Sequence, residues 1–140
     1  MYKIIDLPNS KLHINHTFNV NNYHTVGIRI ESGDFKGRCS FCWHSEYMEE
    51  IISSIKQLHS NLTGTLKIED RDSDAFINIE MVNYGRLKIK GQTATHNDHY
   101  LRYTMSNDQT ILLPLRSAFI EMLTVPSINH DKYFKTSENE

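Results

Sequence analysis

The chain has 140 residues and is 39% hydrophobic, which suits one domain, and it has no apolar stretch of the ~20 residues that a membrane-spanning helix needs. The net charge of −2, from 15 basic and 17 acidic residues, gives no electrostatic reason to expect nucleic-acid or anionic-membrane binding. Two cysteines are too few for a disulfide framework, and Asp6 and Pro8 interrupt the N-terminus before a signal peptide could form. We therefore expect a cytoplasmic protein.

The first part of the chain predicts β-strands, because apolar and polar residues alternate. The alternation covers 12–18 and 26–30, and a turn at Ser32-Gly33-Asp34 separates it from a longer run at 35–44. One face of that longer run consists of Phe35, Gly37, Cys39, Phe41 and Trp43. Alternation of this length is typical of half-buried strands in antiparallel hairpins.

The pattern changes to a helical period after His44. The apolar residues at this spacing are Met48, Ile51, Ile52, Ile55 and Leu58. Ser45 is predicted to be the N-cap, and the acidic Glu46 and Glu49 suit the positive end of a helix dipole. These features predict an amphipathic helix over about 45–60.

Strand patterns resume in the second half and end in another helix. The strands are predicted around 66–68, 75–81, 87–91 and 101–105. The second helix is predicted over about 112–124, but its start is ambiguous. Capping by Asp108 would place Pro114 inside the helix, whereas a start at Pro114 avoids the clash and the lost hydrogen bond. Residues 125–140 are mostly polar and predict a flexible C-terminal tail.

Together these patterns predict the α+β fold class. We expect a meandering antiparallel sheet with both helices packed on one face. The chain would then comprise two similar halves, each made of strands followed by a helix, within a single domain over 1–124.

The cysteines are the first candidates for chemistry. Cys39-Ser40-Phe41-Cys42, followed by His44, matches a C-x-x-C motif, but a zinc site needs about four ligands and no second pair exists. In a strand, side chains three positions apart point to opposite faces, so we interpret Cys39 as a core residue. No spacing in the chain places a nucleophile beside a base. We therefore predict no catalytic residues, no cofactor and no bound metal.

The histidines are read in the same way. His96 and His99 form an H-x-x-H pair that would bind metal on a helix, but they lie in a turn-rich stretch between two strand patterns and indicate a hairpin loop. His13 and His24 are assigned to the polar faces of their strands. His16 falls on an apolar face, where a hydrogen-bonded histidine explains it without a ligand.

The segment 69–74 is the most charged part of the chain. Its alternating aspartates resemble the start of a calcium loop, but Ala75 and Met81 stand where an EF-hand needs glycine and glutamate. A local negative patch remains, which would steer a basic partner unless it is only a solvated loop. The four predicted partner-binding residues are Glu69, Asp70, Asp72 and Asp74.

From Gly27 to Leu123 the chain resembles a family of small bacterial proteins, the WapI-type immunity proteins and related uncharacterised proteins. The likeness is carried by Gly33-Asp34-Phe35-Lys36-Gly37, the helix from Ser45, Leu62-Thr63-Gly64, a hairpin around Gly85 to Gly91, and Asp108-Gln109-Thr110 before the last helix. The Asp-Gln-Thr triplet is the most specific of these features. The residues before Val26 and after Thr124 match nothing in the family.

The resemblance implies a non-catalytic protein that binds and neutralises a cognate toxin domain in the producing cell. It implies no cofactor, and it supplies no contact residues, because immunity proteins diversify with their toxins. A homodimer is compatible with it. Two alternatives stay open on the residues alone: a small metal- or ligand-binding protein or enzyme, and a homo-oligomeric structural module.

Overall fold

The structure, a computed structural model, describes residues 1–95 and 99–129. Strands β1 to β4 span Tyr2–Leu7, Ser10–Val20, Tyr23–Ser32 and Phe35–His44, and helix α1 follows at Ser45–Asn61. Strands β5 to β8 span Gly64–Glu69, Phe76–Met81, Arg86–Thr95 and His99–Asp108. A 3₁₀ turn at Gln109–Ile111 leads into helix α2 at Leu112–Leu123.

Helix α1 divides the meander into two sheets. The first sheet has the order β1-β2-β3-β4 and the second has the order β5-β6-β7-β8. Each strand pairs antiparallel with the strand that precedes it in its sheet. Each half therefore consists of four strands followed by a helix. The predicted α+β fold is confirmed, and the interruption by α1 turns the expected single meander into two sheets.

One core is shared by both halves. It combines the inner faces of the two sheets with the apolar faces of α1 and α2. The two helices pack against each other. Away from the helices the sheets meet directly, since a Cβ added to Gly37 in β4 would lie 2.7 Å from Leu101 and 3.1 Å from Thr93. This contact leaves the outer face of each sheet as the surface on which polar residues accumulate.

The start of α1 differs from the prediction by one residue. His44, not Ser45, is the N-cap, and its Nδ1 accepts a hydrogen bond from the amide of Glu46 at 3.2 Å. Ser45 is the first helical residue, and its hydroxyl donates to the carbonyl oxygen of Asn22 at 3.3 Å. The imidazole of His44 accepts a hydrogen bond from one of the free amides of the first turn, the role that a serine hydroxyl was predicted to have.

The start of α2 agrees with the predicted range of about 112–124 but not with a start at Pro114. Asp108 caps the 3₁₀ turn by accepting from the amide of Thr110 at 2.9 Å, and α2 begins at Leu112. Pro114 is the third residue of α2. It therefore lies in the first turn, where the missing amide hydrogen has the least effect.

Residues 125–129, which were predicted to begin the flexible tail, lie against the end of β2. Ile128 donates its amide to the carbonyl of Asn19 at 3.0 Å and accepts from the amide of Asn21 at 2.9 Å. The side chain of Asn19 also donates to the carbonyl of Val125 at 2.9 Å. These bonds hold the segment at the tip of the β2–β3 hairpin, and residues 130–140 lie outside the described part of the chain.

Candidate functional site

The structure gives the four predicted partner-binding acids two different roles. Asp70 is only 8% exposed. Its Oδ1 accepts from the amide of Cys42 at 2.8 Å and its Oδ2 from the hydroxyl of Ser73 at 2.5 Å. Asp70 therefore fixes the loop between β5 and β6 onto β4, and both oxygens of its carboxylate accept hydrogen bonds within the protein.

The other three acids remain on the surface. Glu69, Asp72 and Asp74 are exposed. Glu69 lies 3.1 Å from Lys67 Nζ, and Asp72 lies 3.9 Å from Arg71. Two of the three charges thus have a basic neighbour, which weakens the negative potential that the sequence predicted for this loop.

The cysteine motif lies in β4, as the strand pattern predicts. Cys39 is buried and Cys42 half-buried, and both are free thiols. Burial raises the pKa of Cys39 to about 11 and also raises the pKa of Cys42. Since the thiolate is the nucleophile and the metal ligand, these shifts disfavour both roles.

Only one histidine of the predicted H-x-x-H pair lies in the part of the chain that the structure describes. His99 is exposed at the first position of β8, and His96 lies outside the described residues. Within 1–95 and 99–129, no group of three histidine, cysteine, aspartate or glutamate side chains is arranged to hold a metal ion.

The structure does bring a nucleophile beside a base, which the sequence spacing did not predict. His24 Nε2 lies 3.0 Å from the hydroxyl of Ser45, and His24 Nδ1 lies 2.9 Å from Nε2 of His16. The assignment of His24 to a polar face was wrong. His24 has the same strand parity as Val26, so it faces inward and is completely buried. Burial, together with the nearby His16 and His44, lowers the pKa of His24 to about 4.

The outer face of the first sheet carries a more extensive group of polar residues. Across β2, β3 and β4, the cross-strand rows are Lys11–Glu31–Lys36, His13–Arg29–Arg38 and Asn15–Gly27–Ser40. We call this group the outer face. It contains more basic than acidic side chains, although the whole chain has a net charge of −2.

Glu31 organises the cations around it. Its carboxylate accepts from Arg29 at 2.6 Å and lies 3.8 Å from Lys11 Nζ and 3.9 Å from Lys36 Nζ. The hydrogen bond from Arg29 is the main cause that lowers the pKa of Glu31, so the carboxylate is ionised at neutral pH. Three basic side chains therefore share one acid.

Arg38 lies directly opposite Arg29 in the β3–β4 ladder. Like charges at directly opposite positions destabilise an antiparallel pair. Glu31 compensates Arg29, but among the described residues the guanidinium of Arg38 makes no ion pair. The outer face thus carries four basic side chains for one acid, and among the described residues Arg38 is the one of the four that lies near no carboxylate.

A cavity of about 640 Å³ opens on the outer face beside this arginine pair. Its polar walls include Asn15, Arg29, Arg38 and Ser40. Gly27 forms part of its floor, where a Cβ would meet only the carbonyl oxygen of Asn15 at 3.6 Å. Backbone crowding therefore does not require glycine here, and the missing side chain leaves the cavity open.

His13 forms a buried wall of the same cavity and is 6% exposed. Its Nε2 lies 2.9 Å from Oδ1 of Asp6. This hydrogen bond is the main cause that lowers the pKa of Asp6, so the carboxylate is ionised and His13 Nε2 is the donor. His13 Nδ1 has no hydrogen-bond partner among the described residues.

One exposed apolar side chain lines the cavity, and another lies on a strand next to it. Met1, which is 72% exposed, forms part of its wall. Tyr100, which is 52% exposed, pairs in the β7–β8 ladder with Ala94, another wall residue. The cavity wall therefore combines arginine with methionine, and the exposed Tyr100 lies on the neighbouring strand β8. All three residue types are enriched at protein interfaces.

Sequence reasoning missed this surface because it averaged charge over the chain. Within each of β2, β3 and β4 the polar residues occupy alternate positions, so the sequence does indicate that they share one face of their strand. Their convergence depends on the register of two hairpins. In that register Arg29 pairs with both His13 and Arg38. Gly27 could not be identified from its chemistry, because it contributes to the cavity only by leaving space where a side chain would lie.

None of the helices in the described ranges has the length and apolar character that crossing a membrane requires. No protein-family model matches the chain. No curated protein matches it at a significant level either.

Proposed function

We propose that the protein is a non-catalytic binding module that recognises another protein through the outer face of its first sheet. The observation that carries this proposal is the composition of the concave surface, whose wall includes Arg29, Arg38 and the exposed Met1. The exposed Tyr100 lies in β8, opposite the wall residue Ala94 of β7. Arginine, tyrosine and methionine dominate interface cores, and arginine and tyrosine are common hot-spot residues.

We further propose that the partner is a toxin domain that the protein neutralises in the cytoplasm of a bacterial cell. The likeness to WapI-type immunity proteins between Gly27 and Leu123 supports this class of partner. The loop acids Glu69, Asp72 and Asp74 would attract a basic region of the toxin during encounter, while the arginines anchor the bound state. A tight complex of this kind buries roughly 800 Å² on each partner.

A co-expression rescue tests this function. A candidate toxin domain, chosen from the products of neighbouring genes, is induced alone, with the wild-type chain, with Arg38→Gln and with Arg86→Gln. Arg86 is the matched control, because it is an exposed arginine in β7 of the second sheet. We expect the wild type and Arg86→Gln to restore growth and to co-purify with the domain, and Arg38→Gln to do so poorly.

Two outcomes contradict the proposal. A domain that is toxic but is neither bound nor neutralised by the wild-type chain removes the immunity role. Equal rescue by Arg38→Gln and Arg86→Gln removes the outer face as the interface. Light scattering on the purified complex gives its stoichiometry and distinguishes a toxin complex from self-association of this chain.

A second candidate function, nucleophilic catalysis, rests on the chain of hydrogen bonds from Ser45 to His24 and His16. A serine activated by a histidine that is oriented by a third group is the general arrangement of acyl-transfer enzymes. It ranks second because His24 is fully buried and Ser45 also bonds the carbonyl of Asn22. Covalent labelling by a fluorophosphonate, lost in Ser45→Ala, would favour it. Absence of labelling in the wild type would remove it.

A further inference from the structure

We propose that the cavity over Gly27 is a carboxylate pocket and that the protein partner fills it with an aspartate or glutamate side chain. This inference rests on the proposed protein-binding function and specifies the chemistry of the partner's anchor. It is carried by the unneutralised Arg38, the open floor at Gly27 and the hydrogen-bond donors that surround them.

The charge arrangement is the first argument. Arg29 and Arg38 are directly opposite in the β3–β4 ladder, which costs stability unless an anion lies between them. Glu31 supplies one carboxylate to Arg29, and no described residue supplies one to Arg38. A second carboxylate from outside would give Arg38 the counter-ion that it lacks. Local arrangements that cost stability in the free protein are expected at functional sites.

The donors are the second argument. A guanidinium presents a planar fork of N–H groups that matches a carboxylate in a bidentate pair. Ser40 and Asn15 line the same cavity, and their side chains carry neutral hydrogen-bond donors, a hydroxyl and an amide. Gly27 lines the cavity together with both arginines, and it adds no side chain to the space in which a carboxylate would lie. The volume of about 640 Å³ also accommodates residues adjacent to the acid.

The acids at the edge of the outer face indicate a single carboxylate and disfavour a polyanion. Asp6 is bonded to His13, and Glu31 lies among Arg29, Lys11 and Lys36. Both carboxylates are ionised, since hydrogen bonds lower their pKa values. A nucleic-acid backbone would bring several phosphates close to these two acids. By contrast, an acidic side chain of a protein brings a single negative charge, which pairs with Arg38.

The first experiment needs no partner. The ¹⁵N-labelled full chain is titrated with N-acetyl-glutamate N-methylamide, with the glutamine analogue and with inorganic phosphate, and amide shifts are followed by NMR. We expect saturable shifts at Gly27, Ser40 and Thr95 with the glutamate compound only. Arg38→Gln and Gly27→Val should each raise the apparent Kd of the glutamate compound by about tenfold, which corresponds to the loss of one charge-assisted hydrogen bond. Arg86→Gln should leave this Kd unchanged.

Three results of the titration would overturn the pocket: no saturable shift, equal shifts with the glutamine analogue, or tighter saturation of the same amides by phosphate. Gly27→Val is expected to fold, because an added Cβ meets only an ordinary contact. Melting curves verify that each variant is folded before the titrations are compared.

The second experiment uses the complex with the toxin domain. Arg38→Gln and Gly27→Val should each lower the affinity, and replacing one acidic residue of the toxin should make the complex insensitive to Arg38→Gln. If the toxin binds the wild type and both variants equally, the protein-binding function stands and the partner's anchor is elsewhere. If no toxin binds but the glutamate compound does, the function fails and the pocket takes a free carboxylate.

Discussion

The indole ring of Trp43 stacks on the phenyl ring of Phe119, with ring centroids 5.0 Å apart and an interplanar angle of 30°. Trp43 is the penultimate residue of β4 in the first half, and Phe119 lies in α2 at the end of the second half. The indole N–H also donates to the carbonyl of Glu69 at 3.0 Å. One aromatic side chain therefore connects the first sheet, the last strand residue of β5 and the closing helix.

The first prediction concerns this connection. Phe119→Ala should lower the free energy of unfolding by about 3–5 kcal/mol, the usual cost of removing a buried phenyl ring. Phe119 is 0% exposed, whereas its neighbour Ile120 is 41% exposed and serves as the control. Urea unfolding followed by tryptophan fluorescence measures both variants. A loss for Phe119→Ala no larger than that for Ile120→Ala would show that the two halves are not joined here.

The second prediction concerns pH. The pKa of His24 falls from an ordinary value of 6.5 to about 4 in the folded protein, mainly because burial disfavours the charged form. Between these values the unfolded chain binds more protons than the folded chain. The free energy of unfolding should therefore be highest above about pH 6.5 and should decrease as the pH falls toward 4. His24 should account for no more than about 3 kcal/mol of this decrease.

Urea unfolding at a series of pH values measures this dependence. His24→Gln should reduce the decline between pH 6.5 and 5, whatever its effect on absolute stability. A smaller decline should remain, because burial also lowers the pKa of His16. His99→Gln should retain the decline, because His99 is exposed. Carboxylates with lowered pKa values contribute below their ordinary values of 3.8 and 4.5, so their effect falls mostly outside this window. An unchanged slope in His24→Gln would rule out His24 as the source.

The third prediction concerns the β5–β6 loop. Asp70→Ala removes the acceptor of the Cys42 amide and of the Ser73 hydroxyl, and leaves these donors without their partner. We expect a loss of about 1–3 kcal/mol in the free energy of unfolding. Asp72→Ala, in the same loop but exposed, should change stability by no more than about 0.5 kcal/mol. Similar melting temperatures for the two variants would contradict the structural role of Asp70.

The fourth prediction compares two glycines in strands. A Cβ at Gly91 would lie 2.1 Å from the hydroxyl oxygen of Tyr103 and 2.7 Å from the backbone carbonyl of Phe76. Because backbone cannot move aside cheaply, Gly91→Ala should cost about 1–3 kcal/mol. Gly27→Ala meets only an ordinary contact and should be nearly neutral. Chemical unfolding of both variants decides the point, and equal stabilities would exclude the close packing of Tyr103 over β7.

The elements with strong periodicity were predictable from the sequence. The alternation in β4 correctly placed Cys39, Phe41 and Trp43 on the buried face, and the helical spacing of Met48, Ile51 and Ile55 correctly predicted the buried face of α1. These patterns are reliable because each residue's face follows from its position within one element.

Features that depend on contacts between elements were not predictable. The capping of α1 by His44 depends on Ser45 being engaged by His24 and Asn22, which come from the preceding hairpin. The sequence predicted that Asp70 lies on the surface, but in the structure its carboxylate accepts a hydrogen bond from the amide of Cys42. The candidate site requires the register that sets Arg29 opposite Arg38, and charge totals hold no information about register.

The order of the strands also bears on how the protein folds. Each sheet is a succession of hairpins between neighbouring strands, so most of its pairings close short loops and lose little chain entropy. Neither half buries its apolar face alone, because the core is continuous across both sheets and both helices. We expect the hairpins to form early and the docking of the halves, with Trp43 against Phe119, to complete the cooperative transition. A fragment that ends after α1 would therefore expose core surface and aggregate.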